Sequence, residues 1–418
     1  MIEPQFDLDD ILQISNNRNK EDTLKINSNA TDLNNAGMKT FEINNQQHYI
    51  NLSDSYLFGE FSITKKDGTT IAATDDITLE NNWFPRCFSQ FILNVGGKEI
   101  EGIHTSVGEA STLANLIMTS EIYKNTYGQL SGWFPDTGKA NSEITGKDFN
   151  SGYYNRKRIY NNKNKFTAIF PLKYLFGFTE YTKILYLIKI SLNLNRRSDV
   201  ELCEDIFYGK EAGKISFTNL EWRIPTIEPS LEIEEIITKR LNTQKSIDVV
   251  FMKRNMNKLT IATGAKQTWK IGSYTNAVRF VFVAFKETTA PSALINNALF
   301  VGDKITSLRL QLNSMYYPID SMTFNFDNYN IVEPYLAYIN CCKTFGNEPQ
   351  LTLQEFHDIY PIFVFDCSAQ PETLKSNGID ISLHIEKTST LTLEGYALIL
   401  EDSYYNIQTN NGRMLRIS

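Results

Sequence analysis

The chain has 418 residues, with 41 Lys and Arg residues against 48 Asp and Glu residues, and a formal net charge of −7. This length can supply two domains of about 200 residues, each with its own core, and the acidic balance argues against nucleic-acid binding by the chain as a whole. Five cysteines without a CxxC motif exclude a disulfide framework, and the adjacent Cys341 and Cys342 are expected to be small buried side chains.

Neither a secretion signal nor a membrane span is expected. The first residues, Met1–Gln5, lack the apolar core of a signal peptide, so the chain is expected not to be secreted, and the sequons at Asn29 and Asn51 are expected to be unused. The most apolar stretch, Phe166–Leu194, is interrupted by Lys and Glu residues. It cannot supply the roughly 20 consecutive apolar residues that a membrane-spanning helix needs.

The first half of the chain predicts an arm followed by a domain rich in strands. Residues 1–40 are polar and Asn-rich, which is typical of a flexible N-terminal arm, and a first domain is expected over 41–224. Val107–Tyr123 has apolar residues at helical spacing, whereas residues 128–165 are expected to be irregular. Strands are predicted at Tyr56–Thr64, Phe88–Val95, Lys98–Ile103, Ile188–Leu194 and Lys214–Trp222, with turns at Lys66–Thr69 and Gly96-Gly97.

The second half begins after a predicted linker over residues 225–243. Pro225 and Pro229 argue against a central strand there, although Leu231–Leu241 can form a short helix. The second domain is expected over 244–418, with a short helix at Leu351–Tyr360 that begins with a capping box of Thr352 and Glu355. Strands are predicted at Ile247–Met252, Thr268–Ile271, Val278–Phe285, Ile305–Asn313, Pro361–Asp366, Ile379–Ile385 and Tyr396–Leu400.

The two halves carry the same landmarks in the same order. Ile188–Leu194 reads almost as Ile379–Ile385, and a helix-like stretch ends 34 positions after Asn94 and 33 positions after Asn313, in both cases at an aromatic residue followed by Gly. This period is too long for a solenoid and indicates a tandem duplication of a whole domain. The fold class predicted is all-β, as two tandem eight-stranded jelly rolls (a double jelly roll) with short helices in the loops.

The histidines do not form a metal site by their spacing. The chain has four, at His48, His104, His357 and His384, and none is paired with another at metal-ligand spacing. His104 with Glu109 comes nearest to the pattern of a metal-binding jelly roll, but the second histidine is missing. Because such sites usually need three protein ligands, no metal ligand is predicted.

Other candidate motifs also fail to indicate catalysis. Asp366-Cys367-Ser368 contains a nucleophile without an evident base, and a strand end entering a turn is the preferred interpretation. Gly96-Gly97-Lys98 lacks the earlier Gly and the following Ser or Thr of a P-loop. We therefore predict no catalytic residue, no cofactor-binding residue and no cofactor, and a protein that is not an enzyme.

One basic cluster could contact nucleic acid. It lies in the predicted irregular stretch and combines cations with tyrosines: Arg156-Lys157-Arg158, Lys163 and Lys165 with Tyr153, Tyr154 and Tyr160. A solvated or subunit-contacting loop is the favoured interpretation, because a few cations give weak, salt-sensitive binding. At most a weak genome contact through the 156–165 loop is expected.

The order of the apolar segments is similar to that of a known family, the double jelly-roll major capsid proteins of Polinton/Maverick-type and adintovirus-like elements. The resemblance covers most of residues 45–405. The segments that carry it are Ile77–Asn82, Cys87–Phe91, Gly96–Lys98, Arg279–Phe285, Leu310–Pro318, Tyr360–Asp366, Leu374–Ser376 and Ile379–Ile381.

This resemblance implies a shell protein. Similar chains form homotrimers whose six jelly rolls make a pseudo-hexagonal capsomer, and capsomers tile an icosahedral virus shell. It further implies penton and minor capsid proteins as partners, and a place in the virion after synthesis in the host cytoplasm or nucleus. Residues 128–165 and 286–304 are candidate loops at the outer end, and the arm is expected to order on assembly.

A second class of function stays open at this point, a jelly-roll carbohydrate- or ligand-binding module of the lectin kind, also without enzymatic activity. Lectin sites usually need an exposed aromatic platform. The four tryptophans, Trp83, Trp133, Trp222 and Trp269, form no cluster by spacing, which favours the shell protein.

Overall fold

Strands in both halves alternate buried and exposed side chains, and this alternation makes each half a pair of antiparallel sheets around one apolar core. The computed structural model describes residues 18–44, 49–180, 183, 185–243, 246–370, 378–388, 392–410 and 413–417. Both halves are jelly rolls, and the core is continuous between them.

The first roll consists of two main sheets. One has the strand order β1 (Arg18–Asn27), β12 (Gly213–Pro229), β4 (Tyr56–Lys65) and β8 (Phe166–Pro171), extended along β12 by β3 (Tyr49–Ile50) and β9 (Leu185–Tyr186). The other has the order β2 (Gly37–Ile43), β10 (Ile190–Arg196), β6 (Phe88–Val95) and β7 (Lys98–Ile103). A small ribbon joins β5 (Ile77–Leu79) to β11 (Phe207–Gly209).

The second roll repeats this plan. Its first sheet has the order β13 (Ser246–Ile261), β20 (Leu393–Asn410), β15 (Val278–Glu287) and β18 (Phe363–Asp366), with β21 (Arg413–Ile417) added to the end of β20. Its second sheet has the order β14 (Lys266–Tyr274), β19 (Ile379–Lys387), β16 (Ile305–Leu312) and β17 (Met315–Thr323).

The duplication predicted from the sequence is therefore confirmed strand by strand. The order β1-β12-β4-β8 corresponds to β13-β20-β15-β18, and β2-β10-β6-β7 corresponds to β14-β19-β16-β17. The two similar segments that revealed it form β10 and β19, which occupy the same place in their sheets. The predicted fold class, two tandem eight-stranded jelly rolls with short helices in the loops, is correct.

Helices lie in the connections between strands. The helix predicted over Val107–Tyr123 is divided in two, since α2 (Val107–Met118) ends at Met118 and the exposed Ile122 lies on the separate short helix α3 (Glu121–Asn125). The predicted capping box forms at the start of α9 (Leu353–Asp358), since Thr352 and Glu355 bond to each other's backbone N–H. The helices are α1 (Trp83–Arg86), α2 (Val107–Met118), α3 (Glu121–Asn125), α4 (Tyr127–Leu130), α5 (Ser151–Tyr160), α6 (Asp199–Asp205), α7 (Leu231–Thr243), α8 (Val332–Thr344) and α9 (Leu353–Asp358), with short 3₁₀ turns at Leu172–Tyr174 and Phe178–Glu180. In the described part of the chain, none of them is long and apolar enough to cross a bilayer.

The predicted flexible arm over residues 1–40 is wrong for its second half. β1 pairs antiparallel along β12 from Arg18 to Asn27, so it is the first strand of the first roll, and β2 begins at Gly37. Ile26 packs against the core although its neighbours on either side are exposed. The polar composition of β1 hid the alternation of exposed and half-buried side chains. The predicted start of the first domain at residue 41 is therefore too late. Residues 1–17 lie outside the described residues.

The predicted linker over 225–243 also begins too early. Residues up to Pro229 belong to β12, which has β1 on one side and β3 and β4 on the other, so the prediction that the prolines exclude a central strand is wrong. A proline in a strand can still accept a hydrogen bond through its carbonyl oxygen. The Pro225 carbonyl accepts one from the backbone N–H of Asn51 at 2.9 Å. The short helix predicted after it is confirmed as α7.

Residues 128–165 are only partly irregular, since 131–150 and 161–165 contain no helix or strand. They include α4 and α5, and Asn150 caps α5 by accepting a hydrogen bond from the backbone N–H of Tyr153 at 3.1 Å. The basic cluster therefore begins on a helix and not in a solvated loop.

Candidate functional site at the junction of the two rolls

The edge strand β7 of the first roll packs against β13 of the second roll. Glu101 of β7 is fully buried and accepts three backbone hydrogen bonds, from Gly177 at 3.0 Å, Phe178 at 2.9 Å and Arg254 at 2.7 Å. Burial raises the pKa of this carboxyl group to about 7, although the Arg254 guanidinium acts in the opposite direction. One side chain thus joins β7, the 172–180 connection and the second roll.

Arg254 of the second roll adds side-chain hydrogen bonds to the first roll at the same contact. The Arg254 side chain, 2% exposed, donates to the backbone carbonyl of Lys173 at 2.8 Å and to the carboxylate of Glu180. Gly177 lies so near β13 that a Cβ atom there would be 1.7 Å from the carbonyl oxygen of Met252. The two backbones therefore meet without room for any side chain.

A second contact is a buried cluster of charges around Arg86. Its side chain is 3% exposed and donates to Glu109 at 2.9 Å, Asp205 at 3.3 Å and Glu80 at 3.4 Å, all in the first roll. It also donates to the backbone carbonyl of Asn297 in the second roll, at 2.8 Å. Arg86 therefore bonds to three carboxyl groups and reaches across the junction with the same guanidinium group.

Lys286 of β15 brings a second cation to this cluster from the other roll. Its ammonium group donates to Glu109 at 2.6 Å and to the Asn297 carbonyl at 2.7 Å. Burial and the adjacent Arg86 lower the pKa of Lys286. Burial favours the neutral form of Glu109, but Lys286 and Arg86 outweigh it and hold its pKa well below the usual range.

Glu80 is the most deeply buried carboxyl group in this cluster. It is 0% exposed and accepts a hydrogen bond from the backbone N–H of Asn297 at 2.6 Å. Burial raises its pKa to about 8, despite Arg86, and the nearby Asp205 acts in the same direction. Charges of both rolls thus surround a cleft of about 570 Å³ at the junction.

Two rolls of identical strand order within one chain form a double jelly roll. The sequence model of the double jelly roll-like domain family matches residues 77–404. The chain belongs to the double jelly roll-like domain family. No curated protein sequence matches it.

Solved structures show the same double jelly roll. A chain of the Sputnik virophage structure, determined by cryo-EM, aligns with a TM-score of 0.63 and 11% identity, over 100% of this chain and 92% of that one. The Faustovirus major capsid protein gives 0.60 and 8%, over 92% and 90%. The mavirus major capsid protein gives 0.55 and 11%, over 92% and 88%. At these identities the likeness shows the fold.

The double jelly roll separates His104 from Glu109, the pair that comes nearest to a metal-binding pattern in the sequence. The His104 ring bonds to Glu99 at 2.8 Å, whereas Glu109 faces Arg86 and Lys286. His384 lies between Thr268 and Gln311, and His357 contacts Asp358 and the Phe326 carbonyl; His48 is outside the described residues. Among the residues that the structure describes, no three potential ligands converge.

The remaining motifs have structural roles. The carboxylate of Asp366 accepts hydrogen bonds from the backbone and hydroxyl of Ser368, as in a turn after a strand, and Cys367 is buried with a raised pKa. Gly96 and Gly97 adopt φ of +62° and +82° in the turn between β6 and β7. The adjacent cysteines of α8 are both buried, as predicted.

The basic cluster divides into a buried and an exposed part. Arg156 is 0% exposed and forms an ion pair with the buried Asp136 at 2.7 Å, and Lys157 is buried beside it. Only Arg158, Lys163 and Lys165 of the five cations are exposed. The interpretation as a solvated loop is therefore wrong for the two buried residues, of which Arg156 holds α5 to Leu79, Phe134 and Asp136.

The two candidate outer loops and the tryptophans also have defined places. The connection after β15 packs on the first roll, since Asn297 bonds to Glu80 and Asn296 donates to Asp136 at 3.1 Å. All four tryptophans are buried, at 0–3% exposure, so none contributes to an exposed aromatic platform.

Sequence reasoning did not find the Arg86 cluster. Its members come from segments up to 217 positions apart, and each has an ordinary local context. The sequence did contain one indication of a buried cation, because Lys286 directly follows the nearly continuous apolar run 278–285. Buried cations need a partner, but the sequence does not indicate which carboxylate supplies it.

Proposed function

We propose that this chain is the major capsid protein of a virus, and that three copies form a pseudo-hexagonal capsomer that tiles an icosahedral shell. The observation that carries the proposal is the strand-for-strand repetition of one jelly roll within a single chain. Three such chains supply six similar units, and closed symmetric assembly is the usual form of soluble oligomers.

Two further observations support this function. The structural matches extend over nearly the whole of this chain and nearly the whole of the Faustovirus and mavirus major capsid proteins, so the two-roll unit is shared in full. The rolls are also joined by buried ion pairs and by Glu101, which gives a rigid building unit and not two tethered domains.

The finer assignments follow from the resemblance in sequence order. We place the chain nearest to the Polinton/Maverick-type and adintovirus-like capsid proteins, with itself as the main partner and with penton and minor capsid proteins at other positions of the shell. Its role is structural and non-enzymatic, in a virion assembled after synthesis in the host cytoplasm or nucleus. A weak genome contact would be made by the three exposed cations Arg158, Lys163 and Lys165.

Electron microscopy of the expressed protein tests the proposal. Negatively stained material should contain six-lobed capsomers, flat hexagonal arrays or closed shells, because the assembly needs only this chain for its hexagonal tiles. Single chains that stay dispersed at high concentration and bind a defined glycan would contradict the proposal and favour a lectin-like module.

A further inference from the structure

The cations of the basic cluster differ in whether they have a partner. Two of them are bonded to carboxylates, since Arg156 pairs with Asp136 at 2.7 Å and Lys165 pairs with Glu60 at 3.4 Å. In the part of the chain that the structure describes, the other three form no ion pair: Lys157, Arg158 and Lys163. These three side chains line one pocket of about 250 Å³ at the C-terminal end of α5.

Lys157 is the member of this group that needs a partner most. It is only 8% exposed, and a lysine buried to this degree normally lies beside a carboxylate. Asp75 is within electrostatic range of Lys157, but its carboxylate accepts from the Ala72 N–H at 2.8 Å and pairs with Lys65 at 3.1 Å. The ammonium group of Lys157 is therefore available to an anion in the pocket.

The end of helix α5 explains only part of this arrangement. The helix dipole favours cations in the last turn, and Lys157 and Arg158 lie there. Lys163 comes from the chain beyond the helix, and the described residues that line the pocket include no Asp or Glu. Three like charges at one pocket repel one another, and a bound anion relieves that repulsion.

The pocket also has a buried hydrogen-bond acceptor. Asn161 lines it and is 2% exposed. Its Nδ2 donates to the Ile77 carbonyl at 2.8 Å, whereas its Oδ1 has no hydrogen-bond partner among the described residues. Buried acceptors are normally paired with a donor, and a fully ionised sulfate or phosphate group has none to offer. A ligand that satisfies the whole pocket therefore carries a hydroxyl or N–H group as well as an oxyanion.

The wall and the floor of the pocket suit a small organic ligand. Tyr154, 42% exposed, adds an aromatic side chain to the lining, and ligand sites typically combine such a surface with a few polar groups. The end of α5 is fixed in place, because the backbone N–H of Asn162 donates to the Ile71 carbonyl at 2.7 Å. A pocket held in this way loses little conformational freedom on binding.

From these groups we propose that the pocket binds a sulfate or phosphate ester of a sugar. Lys157, Arg158 and Lys163 contact the oxyanion, and the Asn161 Oδ1 accepts from a sugar hydroxyl. A nucleic-acid strand fits less well, because its successive phosphates need a groove of cations along the backbone, and Lys165 is already bonded to Glu60. This inference goes beyond the proposed shell function and does not depend on it.

Two lysines two positions apart provide a matched pair of substitutions. Lys163→Gln removes a cation from the pocket, and Lys165→Gln removes one from the ion pair beside it. Both residues are exposed, so both variants should fold. Lys157→Met keeps most of the length of the buried side chain and removes its charge, with circular dichroism as the check on folding.

Isothermal titration calorimetry of the full chain tests the proposal with a sulfated heparin disaccharide and with glucose phosphate. The desulfated disaccharide and free glucose are the matched ligands, and the tighter of the two esters distinguishes sulfate from phosphate. At least one ester should bind, and its unmodified sugar should not. Lys163→Gln and Lys157→Met should each weaken binding about tenfold or more, because each loses a charge-assisted hydrogen bond. Lys165→Gln should bind as the wild type does.

Four results would overturn the proposal. They are the absence of binding by both esters, equal binding by the wild type and the two pocket variants, inorganic phosphate that binds as tightly as the esters, and binding of an oligothymidylate alone. The last would assign the cations to nucleic acid. None of these results affects the shell function, since capsomers of Lys163→Gln should form as those of the wild type do.

Discussion

Arg86 is the residue at which most charges of the junction converge. It contacts three carboxyl groups of its own roll and a carbonyl of the other, so its removal takes a shared cation away from all of them. We expect Arg86→Met to lower the free energy of unfolding by about 3–5 kcal/mol, measured by urea denaturation. Lys210→Met is the control, because Lys210 is 82% exposed in its ion pair with Asp76, and such pairs contribute about 0–1 kcal/mol. Equal small losses in both variants would contradict the role given to Arg86.

Glu80 should make the stability of the molecule depend on pH. Its pKa is raised by burial to about 8 in the folded state, whereas the unfolded chain releases this proton near pH 4.5. The stabilisation is therefore complete below about pH 4.5 and is lost as the pH rises through about 8. The melting temperature of the wild type should fall between pH 5 and pH 9.

The Glu80→Gln variant isolates this effect. Glutamine keeps an oxygen that can accept from the Asn297 N–H but cannot ionise, so its melting temperature should fall less over the same pH range. The difference between the two proteins at pH 9 should be on the order of 1–3 kcal/mol. Glu143→Gln, at an exposed position, should follow the wild type. Parallel pH profiles for wild type and Glu80→Gln would exclude Glu80 as the source.

The strand β1 is part of the first roll and not a flexible arm, and substitutions in it can test this. Ile26 packs against the core, whereas Asn27 is exposed. We expect Ile26→Asp to lower the urea midpoint by an amount equivalent to about 1–3 kcal/mol, and Asn27→Asp to change it little. If Ile26→Asp were as stable as wild type, β1 would not be part of the first roll.

Elements with strong local patterns could be predicted from the sequence. β6 and β7 have the predicted bounds, and the capping box of α9 forms as expected, because alternation and capping depend on neighbouring residues. β1 and the end of β12 were missed because their strand character comes from pairing with each other across about 200 positions. The polar composition of β1 and the two prolines of β12 locally favoured irregular structure over a strand.

The candidate site could be predicted less well than the fold. The junction joins Glu80, Arg86 and Glu109 to Lys286 and Asn297, and no local pattern connects these positions. The exposure of β17 was equally hidden from the sequence. Only the three-dimensional comparison of β7 with β17 shows that one is covered and the other is not.

At the scale of the whole molecule, the duplication determines what the chain can build. β7 and α2 of the first roll pack on β13, β20 and α8 of the second, so the two rolls form one unit. Under the proposed function, three such units supply the six similar rolls of one capsomer.

The mass of the purified wild-type protein in solution tests this account most directly. Size-exclusion chromatography with multi-angle light scattering should give three times the 47.9 kDa mass of the chain, or larger assemblies made of that unit. A mass of one chain at every concentration, or a dimer that adds no further copies, would contradict it.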